Sequence, residues 1–146
     1  GLTIVVLAAW PPFSLAAHRD DIAEVVFRYQ LDGSDRGNFY LEIDRRDPSD
    51  ELLMRFSGSP QRIRAASAAQ PPCWEEGRHS VTDKETGESG VILFVGRIER
   101  SWTNPCAVAV RGGYHSGTLA GAGGTYWLVW LGTRWVVVDY VLHWVS

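Results

Sequence analysis

Four runs of strand length fill residues 91–144: Val91 to Glu99, Cys106 to Tyr114, Thr125 to Leu131 and Arg134 to Trp144. Each is apolar enough to need cover, and Gly-rich or polar connections separate them. The Gly132-Thr133 connection is short enough for a tight hairpin. Strands joined this way pair with their sequence neighbours, so the series reads as an antiparallel meander. In the last run Val136, Val138, Tyr140, Leu142 and Trp144 alternate with Trp135, Val137, Asp139, Val141 and His143. Regular strand geometry puts these two sets on opposite faces. Thr125 to Leu131 is apolar on both faces, the pattern of a strand covered on both sides.

The cover has to come from upstream. His18 to Leu31 has helical spacing, with Ile22, Val25, Val26 and Tyr29 on one face and Asp20, Asp21 and Glu24 in the first turns. Asp32 to Gly37 stops that helix, and Phe39 to Ile43 alternates as a strand. Asp47-Pro48-Ser49-Asp50 predicts a second helix start, with Asp47 as the cap and Pro48 at the first position. Leu52, Leu53 and Phe56 form its apolar face, and Gly58 with Pro60 ends it. Gln61 to Ala68 reads as a strand, and Gln70 to Gly90 as a long polar loop of the functional or mobile kind. The expected fold class is α+β: N-terminal helices packed on one face of a curved antiparallel sheet ending in a four-strand meander. At 146 residues and 16.2 kDa the chain is one domain's worth.

Gly1 to Ala17 carries no charge and holds the apolar run Leu2 to Trp10, the breakers Pro11 and Pro12, and small residues at Ser14 and Ala16. This reads as the end of a secretory signal peptide without its basic start, with the mature domain over residues 18–146. A buried N-terminal strand and an uncleaved anchor are the competing readings. The run is too short to span a bilayer, so no stable membrane insertion is expected after cleavage. An exported home, periplasmic or extracellular, makes Cys73 and Cys106 a candidate disulfide. The net charge of −3, with both signs interspersed, argues against a nucleic-acid partner. The densest basic cluster, Arg55, Arg62 and Arg64, reads as a solvated strand face.

Gly124 through Val138, an aromatic-x-Leu-Val-x-x-x-Gly-x-x-Trp-Val-Val-Val pattern after a helical start, resembles the C-terminal half of the NTF2-like (cystatin-like, SnoaL-like) cone fold. Four further stretches are similar to a group of uncharacterised exported bacterial proteins: Asp47 to Leu53, Thr86 to Val91, Gly112-Gly113-Tyr114 and Leu142 to Ser146. The second resemblance implies a compartment and no activity. The first implies a cone that holds a ligand or, in steroid-isomerase-like members, an acid working with a tyrosine.

Asp139 and His143 fall on one face of the last strand, their Cα atoms about 13 Å apart at 3.3 Å per residue, too far for a direct acid–base pair. A curved sheet would let Asp139 act as a general base, with Tyr114, Tyr126 or His115 as proton donors. The competing reading is a half-exposed face with two polar residues. Gly112 to Gly124 packs six glycines into thirteen residues. No helix follows as a phosphate cradle requires, so it reads as a broad connection between strands, or as a ligand gate. No Gly-x-Ser-x-Gly elbow accompanies His115-Ser116, so a hydrolase triad is not expected. His18, His79, His115 and His143 are scattered, the acids from Asp83 to Glu88 read as a solvated turn, and neither metal nor cofactor is implied.

Trp127, Trp130, Trp135 and Trp144 concentrate four of the seven tryptophans in the last twenty residues. Trp127, Trp130, Trp135 and His143 are therefore the candidate binding residues. The functional expectation is a non-catalytic module for a small apolar ligand or a protein partner. Its alternatives are an isomerase- or dehydratase-type enzyme built on Asp139 and a structural dimerisation domain, a homodimer through the sheet.

Overall fold

The computed structural model of the chain describes residues 14–146. The expected leader lies outside the described residues as far as residue 13. Ser14 accepts a hydrogen bond from Ala17 N and caps helix α1, Leu15–Leu31, whose first residue packs against the core. The helix thus begins three residues before the predicted start. Ile22, Ala23, Val26, Phe27 and Leu31 are its buried face. Tyr29, expected in that stripe, is 49% exposed, because Phe27 and Leu31 take the contact with the sheet.

Strand β1, Asn38–Ile43, leads to the short helix α2, Asp50–Met54. Its cap is Ser49, which accepts from Leu52 N, and not Asp47, whose carboxylate accepts from Ser67 N. Strand β2, Arg62–Ala65, is followed by a 3-10 turn at Ala66–Ala68, shortening the strand predicted to Ala68. The remaining strands are β3 (Ala69–Gln70), β4 (Thr82–Asp83), β5 (Gly90–Arg100), β6 (Ala107–Gly117), β7 (Ala120–Trp130) and β8 (Trp135–Val145).

The main sheet has the order β2-β1-β5-β6-β7-β8. Its β5 to β8 portion is the expected antiparallel meander, but β1 pairs in parallel with both β2 and β5, so the sheet is mixed. Parallel neighbours need a crossover, supplied by α2 on one side of β1 and by the segment from β2 to β4 on the other. Helix α1 covers one face, closing a core with Leu41, Leu93, Val95, Val108, Val110, Tyr126, Leu128 and Trp135. On the other face the β3–β4 ribbon builds a smaller core of Tyr40, Ala69, Val81 and Ile92. The predicted polar loop is therefore partly packed structure.

The glycine-rich stretch is sheet rather than a connection. Strands β6 and β7 run through it and turn at Thr118-Leu119. Gly112 pairs with Gly124 and Gly113 with Gly123. On the helix side, Cβ atoms at Gly112 and Gly124 would meet the rings of Tyr126 and Tyr140 at 3.3 and 3.0 Å. On the other side, a Cβ at Gly113 would meet Phe94 Cζ at 2.9 Å, and one at Gly123 would meet Trp144 Cε2 at 2.6 Å. Each glycine doublet thus makes room for an aromatic ring on both faces of the sheet.

Strand β8 departs from simple alternation. Trp127 pairs with Asp139 and Leu128 with Val137, and Gly124 pairs with Leu142 and Gly123 with Trp144. Two bulges consequently fall near Val138 and His143. A bulge adds one residue and reverses the parity downstream, so Tyr140 joins Trp135 and Val137 on the core side, and Trp144 turns to the outer face beside Phe94.

Candidate functional site

Between the C-terminal end of α1 and the sheet lies a cleft of about 660 Å³, within the usual range for small-molecule sites. Tyr29 comes from the last turns of α1, Tyr114 from β6, Tyr126 from β7 and Tyr140 from β8. Phe39, Val91 and Leu93 complete the apolar wall, and Ser34, Asp35 and Arg36 stand at its rim. The arrangement follows from the glycine doublets and from Tyr29 being turned off the core stripe.

The tyrosines are coupled to one another. Tyr126 and Tyr140 stack with centroids 4.4 Å apart, and Tyr29 meets Tyr126 edge-on at 5.7 Å. Gln30 Nε2 donates to Gly113 O at 3.1 Å and to the Tyr126 hydroxyl at 3.3 Å, tying helix to sheet. Burial pushes the Tyr126 phenol up to about 12, against the opposing pull of the Gln30 hydrogen bond. Burial likewise raises Tyr140. Tyr126 and Tyr140 therefore present neutral hydroxyls to the cleft, able to donate and accept, set among aromatic faces.

The raised phenol has a measurable consequence. The fold favours the neutral form of Tyr126, so the stability this confers is complete below the unfolded value of 10.0 and is lost as pH rises through about 12. Two units correspond to about 3 kcal/mol. Urea midpoints should fall more steeply between those pH values for the native chain than for Tyr126→Phe. Parallel curves would remove this account of the site.

The candidate residues read from the sequence divide between the two faces. Tyr114 and Tyr126 do come together in the cleft. Asp139 does not join them: it pairs with Trp127 on the outer face, is exposed, and its Oδ1 accepts from Tyr140 N at 2.8 Å. His115 is also on the outer face, its ring centroid 6.1 Å from Phe94. Burial lowers its pKa, opposed by Glu42. The Asp139-centred proton-transfer pocket is thus not assembled, because the bulge near Val138 places the acid and the tyrosines on opposite sides.

The four candidate binding residues separate in the same way. Trp130 and Trp135 pack with His18 at the start of α1, where Trp135 Nε1 donates to His18 Nδ1 at 3.1 Å. Trp127 and His143 belong to the outer face, where His143 Nε2 and Thr125 Oγ1 are 2.8 Å apart. Cys73 and Cys106 are free thiols. Cys73 adjoins Trp74, which borders the β6–β7 turn, whereas Cys106 precedes β6, so roughly 30 Å of strand separates them, far beyond disulfide reach. Among the described residues no three His, Cys, Asp or Glu gather as a metal site, and no helix is long and apolar enough to cross a membrane.

Residues the sequence reading passed over include Gln30, Tyr29 as a cleft residue, Tyr140 as a cleft residue, and Asp83. Asp83 is buried, not part of a solvated turn, and Arg64 pairs with it instead of lying on a solvated face. A second hollow, of about 520 Å³ between α1 and the α2–β2 connection, is lined by Arg28, Arg55, Ser59 and Gln61. Its two arginines are already engaged, Arg55 with Asp21 and Glu24 and Arg28 with Glu24. No family model, curated protein or solved structure matches the chain.

Proposed function

We propose that the protein is a non-catalytic binding module that takes a small, uncharged, largely apolar ligand into the tyrosine-lined cleft. The carrying observation is the convergence of Tyr29, Tyr114, Tyr126 and Tyr140 on one 660 Å³ space with Phe39, Val91 and Leu93. Among the described residues the lining holds no histidine, lysine or glutamate, and its one acid, Asp35, is exposed at the rim. Such walls favour aromatic stacking and neutral hydrogen bonds over proton transfer. The resemblance of Gly124 to Val138 to the cone-fold family supports the same face. An exported setting belongs to this reading and rests on the uncharged run Gly1 to Ala17, whose last residues, Ser14 to Ala17, cap and open α1.

The test uses 2-naphthol, a planar neutral ring bearing one hydroxyl, followed by calorimetric titration. Saturable binding is expected, and Val91→Trp, which fills the cleft from β5, should weaken it at least about tenfold, or 1.4 kcal/mol. Absence of saturable heat, or binding indifferent to Val91→Trp, overturns the proposal.

A further inference from the structure

Among the described residues the sheet ends at β8, eleven residues with no proline, lysine or glycine. Val138, Val141, Leu142, Trp144 and Val145 are each 42% exposed or more. Natural edge strands are usually short or charged, because unpaired backbone groups and apolar side chains recruit another strand.

The direction of the β8 backbone groups follows from the hydrogen bonds of β7. Trp130 N donates to Cys106 O, whereas Leu131 N donates to Arg134 O. Even residues of β7 therefore address β6 and odd ones address β8. Thr125 bonds with its partner Val141, and the flanking residues Tyr140 and Leu142 direct their backbone groups away from β7. Tyr140 N is the group that the Asp139 carboxylate accepts from at 2.8 Å, so in the single chain a neighbouring side chain holds the place of a missing strand.

We propose that a second copy of this chain docks antiparallel on β8, with the two-fold axis at Val141. In that register Tyr140 lies opposite the second copy's Leu142, and each such pair exchanges its N–H···O bonds. Asp139, freed from Tyr140 N, lies opposite the second copy's His143 on the outer face, and the dyad repeats the contact. An imidazole N–H directly across the strands, turned from Thr125 Oγ1, would donate to that carboxylate, and such cross-strand pairs stabilise a ladder. The bulges near Val138 and His143 bound this regular segment. The interface is isologous and closed, and it does not depend on what the tyrosine cleft binds.

Sedimentation of the full chain over a dilution series should show a dimer. With Cys73→Ser and Cys106→Ser as background, Val141→Cys should oxidise to a covalent dimer. Residues facing each other in a non-bonded antiparallel pair have Cα atoms about 4.5 Å apart, within disulfide reach. Leu142→Cys is similarly exposed but faces Tyr140 in this register, so it should crosslink at least about tenfold less at equal time. Asp139→Lys should separate the dimer, and adding His143→Asp should restore it. A monomer at every dilution overturns the proposal. Equal crosslinking at positions 141 and 142, or no rescue by the charge reversal, overturns it as well.

Discussion

Asp83→Ala should lower the unfolding free energy by about 3–5 kcal/mol, the usual consequence of removing one member of a buried ion pair. Asp83 is 2% exposed and receives four donors. Oδ1 accepts from Glu85 N at 2.9 Å and Thr86 N at 3.1 Å, shaping the turn that ends at Gly87. Oδ2 accepts from the Tyr40 hydroxyl at 2.6 Å and pairs with the Arg64 guanidinium, which also lies over the Tyr40 ring. Loss of the carboxylate leaves a fully buried tyrosine hydroxyl and a partly buried arginine unanswered, and it loosens the β3–β4 ribbon from the sheet. Tyr40→Phe removes only one hydrogen bond and should cost about 1–2 kcal/mol. The double variant should be less damaging than the sum, since the two side chains share one contact. Urea unfolding of the three variants decides it. A cost for Asp83→Ala below about 1 kcal/mol would show that the ribbon is held by Val81 and Ala69 alone.

What could be read from the residues depended on how local the deciding interaction was. The β5 to β8 runs and the helix from Ile22 to Leu31 were legible because period and turn chemistry act within a few residues. The parallel placement of β1 was not, since nothing in Phe39 to Ile43 marks its neighbours, Arg62 to Ala65 and Val91 to Val95. Asp83 looked like one of several solvated acids because Arg64 and Tyr40, which bury it, are remote in sequence. The two bulges in β8 carry no local signal either, and the one near Val138 alone moves Asp139 away from Tyr114 and Tyr126. One usable signal does lie in the residues. Two Gly-Gly doublets in strands destined to pair, each followed within a few residues by an aromatic, mark rings laid over a glycine floor rather than a loop.

Gly113→Ala should destabilise the fold by about 3 kcal/mol or more, at the upper end of overpacking costs. The demand at this position is for space, because Gly113 is not among the residues with positive φ. A Cβ there would overlap the carbonyl oxygen of Ala122 and lie 2.7 Å from Gly123 Cα. Both are backbone atoms of β7, so relief requires β6 and β7 to separate, and repacking Phe94 cannot supply it. Gly123→Ala conflicts chiefly with the Trp144 ring, 46% exposed on the edge strand, which can swing aside at a cost of about 1 kcal/mol. Gly96→Ala, whose nearest neighbour is 3.7 Å away, should be neutral or slightly stabilising through the unfolded chain. The effect reaches the cleft, since Gly113 O accepts from Gln30, which holds the Tyr126 hydroxyl. Thermal unfolding and 2-naphthol titration of the three variants should therefore rank them alike, with Gly113→Ala weakest in both. A Gly113→Ala protein as stable as Gly96→Ala would mean that the pairing of Gly113 with Gly123 is looser than its backbone contacts require, and the geometry that aligns Tyr114 with Tyr126 would lose its basis.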